Sequence, residues 1–145
     1  MMEIAVFGMG KIGLPLAVQF ARKGHQVTGV DTNPDVASEV NSGVEPFPGE
    51  THLADYLTEC VQAGLLRATT DAPSAVQSAD AVVVAVPLYV DADAHPDFTA
   101  IDAVAAVVGD SVRPGTLVSF ETTLPVGTTR RRIGPMIAHR SGLEV

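Results

Sequence analysis

The 145-residue sequence has no tryptophan, one cysteine and no long hydrophobic run. With only Cys60 available, an internal disulfide is excluded. The longest apolar run, Ala81 to Val86, is far too short to span a bilayer, and the first residues lack the pattern of a signal peptide. Basic residues are also scarce, with 9 Lys and Arg against 17 Asp and Glu. This balance disfavours nucleic acid and membrane as partners, and we expect a cytoplasmic protein.

Composition favours a folded protein. Hydrophobic residues make up 46% of the chain and charged residues 18%, which is typical of a globular domain and not of a disordered one. The length suits one domain over residues 1–145. The one basic cluster, Arg130 to Arg132, is expected to form a solvated helix face.

No metal site is predicted. The four histidines, His25, His52, His95 and His139, lack metal-ligand spacing. Asp91, Asp93 and Asp97 resemble a calcium loop only loosely, because the glycine and the bidentate glutamate of such loops are missing. We expect these acids to be solvated loop residues.

The opening segment carries the strongest functional signal. An apolar strand pattern, Glu3 to Phe7, leads into a G-x-G-x-x-G turn and then a helical pattern. In a dinucleotide site Gly8 permits the tight turn, Gly10 leaves room for the pyrophosphate and Gly13 lets the helix pack closely. The helix N-terminus then offers free N–H groups to the phosphates. The predicted phosphate-binding residues are Gly8, Met9, Gly10, Lys11, Ile12 and Gly13.

An acidic residue follows the motif at the required place. A second apolar run, Gln26 to Val30, ends in Asp31, about twenty residues beyond the glycines, where a carboxylate accepts hydrogen bonds from the adenosine ribose. A 2′-phosphate would be repelled there, and residues 32–34 supply no arginine. The sequence therefore predicts NAD, not NADP. The alternative, a glycine-rich turn that binds nothing, is disfavoured by the position of Asp31.

Strand and helix patterns alternate along the chain. They predict an α/β fold of the Rossmann type, a doubly wound parallel sheet of about five strands in the order 3-2-1-4-5. Residues 81–86 form the clearest buried strand, Leu88 to Phe98 a loop, and Thr116 to Phe120 another buried strand. A final helix is predicted from Thr128 to about Arg140. Cys60 falls at a core position of a helix over residues 52–63 and is expected to be a small buried hydrophobe.

Three segments of the chain resemble the nucleotide-sugar 6-dehydrogenases, the UDP-glucose, GDP-mannose and UDP-N-acetylmannosamine dehydrogenases. They are Ile4 to Ala17, Leu66 to Asp71 and Glu121 to Thr129. The Gly-Leu-Pro continuation of the glycine motif and the E-T-T-x-P-x-G-T-T stretch are the specific parts. The resemblance implies an enzyme that oxidises the C6 alcohol of a nucleotide sugar to a carboxylate with two NAD, through a thiohemiacetal on a catalytic cysteine.

The resemblance also assigns residues near the two ends of the cofactor. It implies that Val86, Pro87 and Leu88 lie along the cofactor, and that Glu121, Thr122 and Thr123 reach the nicotinamide side. Thr123 would be an auxiliary catalytic residue that orients a water or a substrate oxygen. For Thr122 and Thr123 the alternative is a hydroxyl pair that caps the next helix.

The chain departs from the family pattern at several positions. Leu88-Tyr89 stands where the family has Thr-Pro, Val36 replaces a basic residue, and Lys11 replaces an aromatic one. By the resemblance, the family's catalytic cysteine and its general-base glutamate lie beyond Val145. We therefore expect the 145-residue chain alone to be inactive and the full-length enzyme to be a homo-oligomer.

Two other functions stay open at this point. One is the N-terminal domain of a β-hydroxyacid dehydrogenase of the 6-phosphogluconate type. The other is a non-enzymatic NAD-binding module. The Glu121 to Gly127 stretch favours the nucleotide-sugar dehydrogenase over the first.

Overall fold

The computed structural model describes residues 1–145 as strands alternating with helices. No helix is both long and apolar enough to cross a bilayer. The strands are β1 (Glu3–Phe7), β2 (Gln26–Val30), β3 (Leu66–Thr69), β4 (Ala81–Val84), β5 (Tyr89–Val90), β6 (Pro96–Asp97) and β7 (Leu117–Phe120). The helices are α1 (Gly13–Arg22), α2 (Pro34–Asn41), α3 (Leu53–Gln62), α4 (Ala72–Ser78), α5 (Thr99–Ser111) and α6 (Gly134–Ser141), with a π-helical turn at Thr129–Ile133.

Five strands form one parallel sheet in the order β3-β2-β1-β4-β7. Strands β5 and β6 form a separate antiparallel ribbon, so β7 is the fifth strand of the main sheet in chain order. The predicted order 3-2-1-4-5 and the Rossmann-type fold are therefore confirmed. One core cluster, with Leu14, Val40 and Leu57, joins the sheet to α1, α2 and α3. A second, with Ile101 and Ile137, joins the other face to α4, α5 and α6. Helices therefore cover both faces, which explains the continuous apolar runs in the central strands.

Cys60 lies in the first of these clusters and is buried, as predicted. Burial raises the pKa of its thiol, although the Arg22 guanidinium partly opposes that shift. At neutral pH the side chain is therefore a neutral thiol that packs as an apolar group.

Two strand predictions need correction. Strand β4 ends at Val84 and not at Val86, because its neighbours end there: Val84 pairs with Phe7 on one side and Phe120 on the other. Strand β7 was expected to be buried, but Leu117 is 64% exposed. Strand β7 is an edge strand of the sheet, so no strand pairs with it on its outer side.

Residues 88–98, predicted as a loop, contain the β5–β6 ribbon. Its turn is built around Asp91, whose carboxylate accepts the backbone N–H groups of Asp93 at 2.9 Å and of His95 at 2.8 Å. The His95 imidazole lies 3.3 Å from the other carboxylate oxygen. These contacts, the His95 N–H first among them, lower the pKa of the Asp91 carboxyl. The aspartates of this segment thus shape a turn.

The C-terminal helix also differs from its prediction, because a π-helical turn precedes α6. Two bidentate ion pairs join this region to α5: Arg132 to Asp102, and Arg140 to Asp110. The guanidinium of Arg132 also lies 4.5 Å from the centre of the Phe98 ring. All three arginines at 130–132 are exposed, as expected of a solvated face, and Arg132 is in addition paired with Asp102.

The outer edge of β3 is covered by one side chain. The amide of Asn41, the last residue of α2, donates to the Ala68 carbonyl at 2.9 Å and accepts the Ala68 N–H at 2.7 Å. A single residue thus satisfies both outward backbone groups of the middle of the edge strand.

Candidate cofactor cleft

A cleft of about 430 Å³ opens at the carboxyl ends of β1, β2 and β4. The helix after β1 packs on one face of the sheet and the helix after β4 on the other, so this is the point where open α/β sheets bind ligands. The lining residues are Phe7, Gly8, Val30, Asp31, Thr32, Thr70, Ala72, Val86, Pro87, Tyr89, Ala100, Ala103, Val104 and Val107. Of the predicted site residues, Gly8, Asp31, Val86 and Pro87 are brought together here.

The glycine turn borders this cleft, and its three glycines have different surroundings. Gly8 has φ +87°, and an added Cβ would lie 3.2 Å from the Ala85 carbonyl oxygen. A Cβ at Gly13 would overlap the Gly8 carbonyl oxygen, so α1 starts directly against the turn. No atom lies within 4 Å of a Cβ at Gly10. The turn is therefore closely packed on the protein side and open at Gly10.

Helix α1 begins without a side-chain cap. Its N-cap residue is Ile12, an exposed apolar side chain that offers no hydrogen bond. Lys11 is exposed as well. The first N–H groups of the helix thus have no side-chain acceptor, and such N–H groups attract anions.

Asp31 joins the ends of β1 and β2. One carboxylate oxygen accepts the Met9 N–H at 2.9 Å, and the other accepts the Asn33 N–H at 2.9 Å. A carboxylate offers about four acceptor positions, so further donors can still bind. Asp31 is also the only charged residue that lines the cleft.

Met9 was predicted to contact the cofactor, but its side chain is buried in the core. The sulfur lies over Gly29 of β2, where any Cβ would overlap it. Its backbone N–H is bonded to Asp31. Met9 can therefore influence the cleft only by holding the turn and Asp31 in place.

Leu88, expected along the cofactor, and the three residues expected beside the nicotinamide lie outside the lining of this cleft. Leu88 packs against the core cluster that contains α5. Thr123 is exposed, and Glu121 accepts the Ser119 hydroxyl at 2.5 Å. The Thr122 hydroxyl donates to the Val86 carbonyl at 2.7 Å, which ties the segment after β7 to the segment after β4.

The helix-capping alternative for Thr122 and Thr123 is wrong. The residue before the π-helical turn is Thr128, and its hydroxyl donates to the Pro125 carbonyl at 2.7 Å. Neither of the two earlier threonines reaches a helix N-terminus. Thr122 instead joins the segment after β7 to the segment after β4, at the edge of the site.

Several lining residues were missed by sequence reasoning. Thr32 directly follows Asp31, and Thr70 follows β3, so the ends of neighbouring parallel strands could have indicated both. Helix α5 contributes Ala100, Ala103, Val104 and Val107, whose spacing is that of one helix face. Tyr89 had no sequence signal, because the β5–β6 ribbon that carries it was not predicted.

The fold, the glycine turn and the acid at the end of β2 define a dinucleotide-binding domain of the Rossmann class. The profile of the UDP-glucose/GDP-mannose dehydrogenase family, NAD binding domain, matches residues 2–145. The chain belongs to this family.

Individual proteins agree with this assignment. UDP-N-acetyl-D-mannosamine dehydrogenase of Salmonella typhi is 37% identical over 140 residues, which cover 97% of this chain and 32% of that protein. NDP-N-acetyl-D-galactosaminuronic acid dehydrogenase of Ralstonia solanacearum is 35% identical, with 97% and 32% covered. The crystal structure of a ternary complex of GDP-mannose dehydrogenase from Pseudomonas aeruginosa superimposes with a TM-score of 0.92 at 29% identity, covering 99% of this chain and 33% of that one.

The chain thus spans about a third of the length of the relatives it matches. These relatives are nucleotide-sugar dehydrogenases, and the β-hydroxyacid dehydrogenase alternative is not favoured.

Proposed function

We propose that this chain is the NAD-binding domain of a nucleotide-sugar dehydrogenase, which oxidises the C6 alcohol of its substrate to a carboxylate with two NAD. The observation that carries the proposal is the cleft at the strand ends, where Asp31 is the only charged lining residue and the adjoining turn is open at Gly10. NAD supplies the hydride acceptor when bound. The chain itself binds and orients the cofactor.

Each part of the cleft has a role in this proposal. Gly8 to Gly13 and the uncapped start of α1 hold the pyrophosphate, with Gly10 providing the space and Lys11 and Ile12 at its rim. Asp31 accepts the adenosine ribose hydroxyls, and Val86 and Pro87 lie along the cofactor.

The nicotinamide end is assigned to the segment after β7. Glu121, Thr122 and Thr123 would form it, and Leu88 would lie along the cofactor with Val86 and Pro87. The Thr122–Val86 hydrogen bond supports this assignment, because it keeps that segment beside the cleft wall. Thr123 is exposed there, and in our proposal it orients a water or a substrate oxygen as an auxiliary catalytic residue.

Charge favours NAD over NADP. No Lys or Arg lines the cleft, and the polar side chains beside Asp31 are the neutral Thr32 and Thr70. A 2′-phosphate would meet the Asp31 carboxylate without a compensating cation, and like charges at close range are unfavourable.

The substrate is a nucleotide sugar bound by the longer enzyme. Two of the relatives described above are named for N-acetylated sugars, which favours a nucleotide-linked N-acetylhexosamine. We also propose that the longer enzyme is cytoplasmic, where NAD is abundant, and homo-oligomeric. Size-exclusion chromatography of that enzyme tests the oligomer.

Calorimetric titration of the purified chain with NAD and NADP tests cofactor binding. We expect binding of NAD and weaker or no binding of NADP. Equal or tighter NADP binding would contradict the proposed role of Asp31, and no binding of either would contradict the function.

A turnover assay tests the division of labour between this domain and the rest of the enzyme. With NAD and a panel of UDP- and GDP-sugars, residues 1–145 should give no NADH absorbance above background. Hydride transfer needs a substrate held against the nicotinamide, and we assign that task to the rest of the enzyme. The second oxidation also needs a thiolate to hold the aldehyde, and Cys60, the only thiol of the chain, is buried on α3 and neutral. Turnover that vanishes in Cys60→Ser would overturn this expectation.

A further inference from the structure

One aromatic side chain on the cleft wall has no role in the function proposed so far. Tyr89 lines the cleft and is 65% exposed. The only other aromatic lining residue, Phe7, is 4% exposed and belongs to the core. Tyr89 is therefore the one ring on this wall with a large surface free to contact a ligand.

The ribbon that carries Tyr89 is anchored at both of its ends. At the turn, the Asp91 carboxylate binds the backbone of Asp93 and His95. At the base, Tyr89 pairs with Asp97, and the Asp97 carboxylate accepts the Thr99 N–H at 2.9 Å at the start of α5. These contacts hold Tyr89 at the cleft instead of leaving it on a free loop.

Small residues of α5 also line the cleft. They are Ala100 and Ala103, and their methyl groups leave a space that a flat ring can enter. The polar lining side chains, Asp31, Thr32 and Thr70, follow β2 and β3. An aromatic base with an attached ribose matches this division into apolar and polar parts.

We propose that Tyr89 stacks on the adenine of NAD. The proposal rests on the proposed function, since Asp31 holds the adenosine ribose in the same cleft and so brings adenine within reach of the ring. The resembling family has Thr-Pro at positions 88 and 89, so this contact is a property of the present chain.

Calorimetry with AMP, ADP-ribose and NAD tests the proposal. Tyr89→Ala should weaken all three by a similar factor, roughly tenfold, as expected for one base–aromatic stack. Tyr89→Phe should keep most of the affinity, because the ring and not the hydroxyl makes the contact. Val90→Ala is the matched control, since Val90 is 64% exposed on the same strand and does not line the cleft.

Tyrosine fluorescence gives a second readout, because the chain has no tryptophan and only two tyrosines. In Tyr56→Phe the only phenol is Tyr89, and saturation with AMP should quench its emission. Unchanged AMP affinity in Tyr89→Ala, a loss for NAD but not AMP, or an equal loss in Tyr89→Phe would each overturn the stacking proposal. A wild-type chain that binds neither NAD nor AMP would instead overturn the proposed function along with it.

Discussion

The carboxylate of Asp31 accepts the backbone N–H of Met9 at 2.9 Å. This hydrogen bond joins the acid at the end of β2 to the glycine turn after β1. The residue proposed to bind the ribose and the turn proposed to bind the pyrophosphate are thus held together by the protein's own hydrogen bond. Pre-organisation of this kind reduces the cost of ordering a site on binding.

Replacing Asp31 with Ala should weaken NAD binding by roughly tenfold or more, because hydrogen bonds to a charged acceptor are lost. NADP binding should change less, since repulsion of the 2′-phosphate is removed with the carboxylate. Calorimetry with both cofactors measures the two changes. Asp35→Asn, which removes a charge on α2 outside the cleft lining, is the control, and an equal loss for NAD and NADP would contradict the assignment.

Gly10→Val should abolish NAD binding with little loss of stability. Apart from its two chain neighbours, no protein atom lies within 4 Å of an added Cβ, so the side chain would extend into the volume proposed for the pyrophosphate. Gly13→Ala, whose Cβ would overlap the Gly8 carbonyl oxygen, should destabilise the fold itself. Circular dichroism melts alongside NAD titration separate the two effects. Unfolding of Gly10→Val would show that Gly10 is structural.

Gly29→Ala should destabilise the domain by about 1–3 kcal/mol, the usual range for overpacking a core, because the new methyl group overlaps the Met9 sulfur. Met9→Ala alone should also be costly, since it leaves a cavity. The double variant should lose less than the sum of the two, because the new methyl group then enters space that Met9 vacates. Urea unfolding of all four proteins gives the coupling, and strict additivity would rule out the contact.

Asp110 should contribute to stability in a pH-dependent way. Its hydrogen bonds with Arg140 lower the pKa of the Asp110 carboxyl. The stabilisation is therefore present above the unfolded-state pKa, near 4, and is lost as the pH falls through the lower folded-state value. Asp110→Asn should therefore reduce the melting temperature at pH 7 and not at pH 2. The reduction should be slight, because the pair is exposed and screened by solvent. Asp93→Asn, outside any ion pair, should show no such pH-dependent difference.

Local patterns predicted most of the fold. An Asn followed by a Pro is typical of a helix start, and α2 begins at Pro34, where the Asn33 side chain caps it by accepting the Asp35 N–H at 2.9 Å. Two errors have different causes. The end of β4 depends on where the distant strands β1 and β7 stop, which the sequence around Val84 does not determine. The β5–β6 ribbon was missed because its strands are two residues long and its turn depends on side-chain hydrogen bonds to Asp91, which a pattern of apolar residues does not indicate.

The sequence predicted those cleft-lining residues whose position follows directly from the end of a strand. Gly8, Asp31 and Pro87 satisfy that condition and line the cleft. The sequence did not indicate that the Met9 side chain packs in the core, because this depends on the room left by Gly29 on the neighbouring strand. Helix α5 was missed as a wall because its contribution depends on how the helix packs over the sheet, which periodicity alone does not determine.

The side-chain amide of Asn41 makes the two edges of the sheet unequal. By bonding both outward backbone groups of Ala68, it fills the place that a residue of an added strand would take at β3. The opposite edge, β7, has no such cover and leaves Leu117 exposed. Because an unpaired strand edge is a template for further pairing, β7 is the more open of the two edges to an added strand.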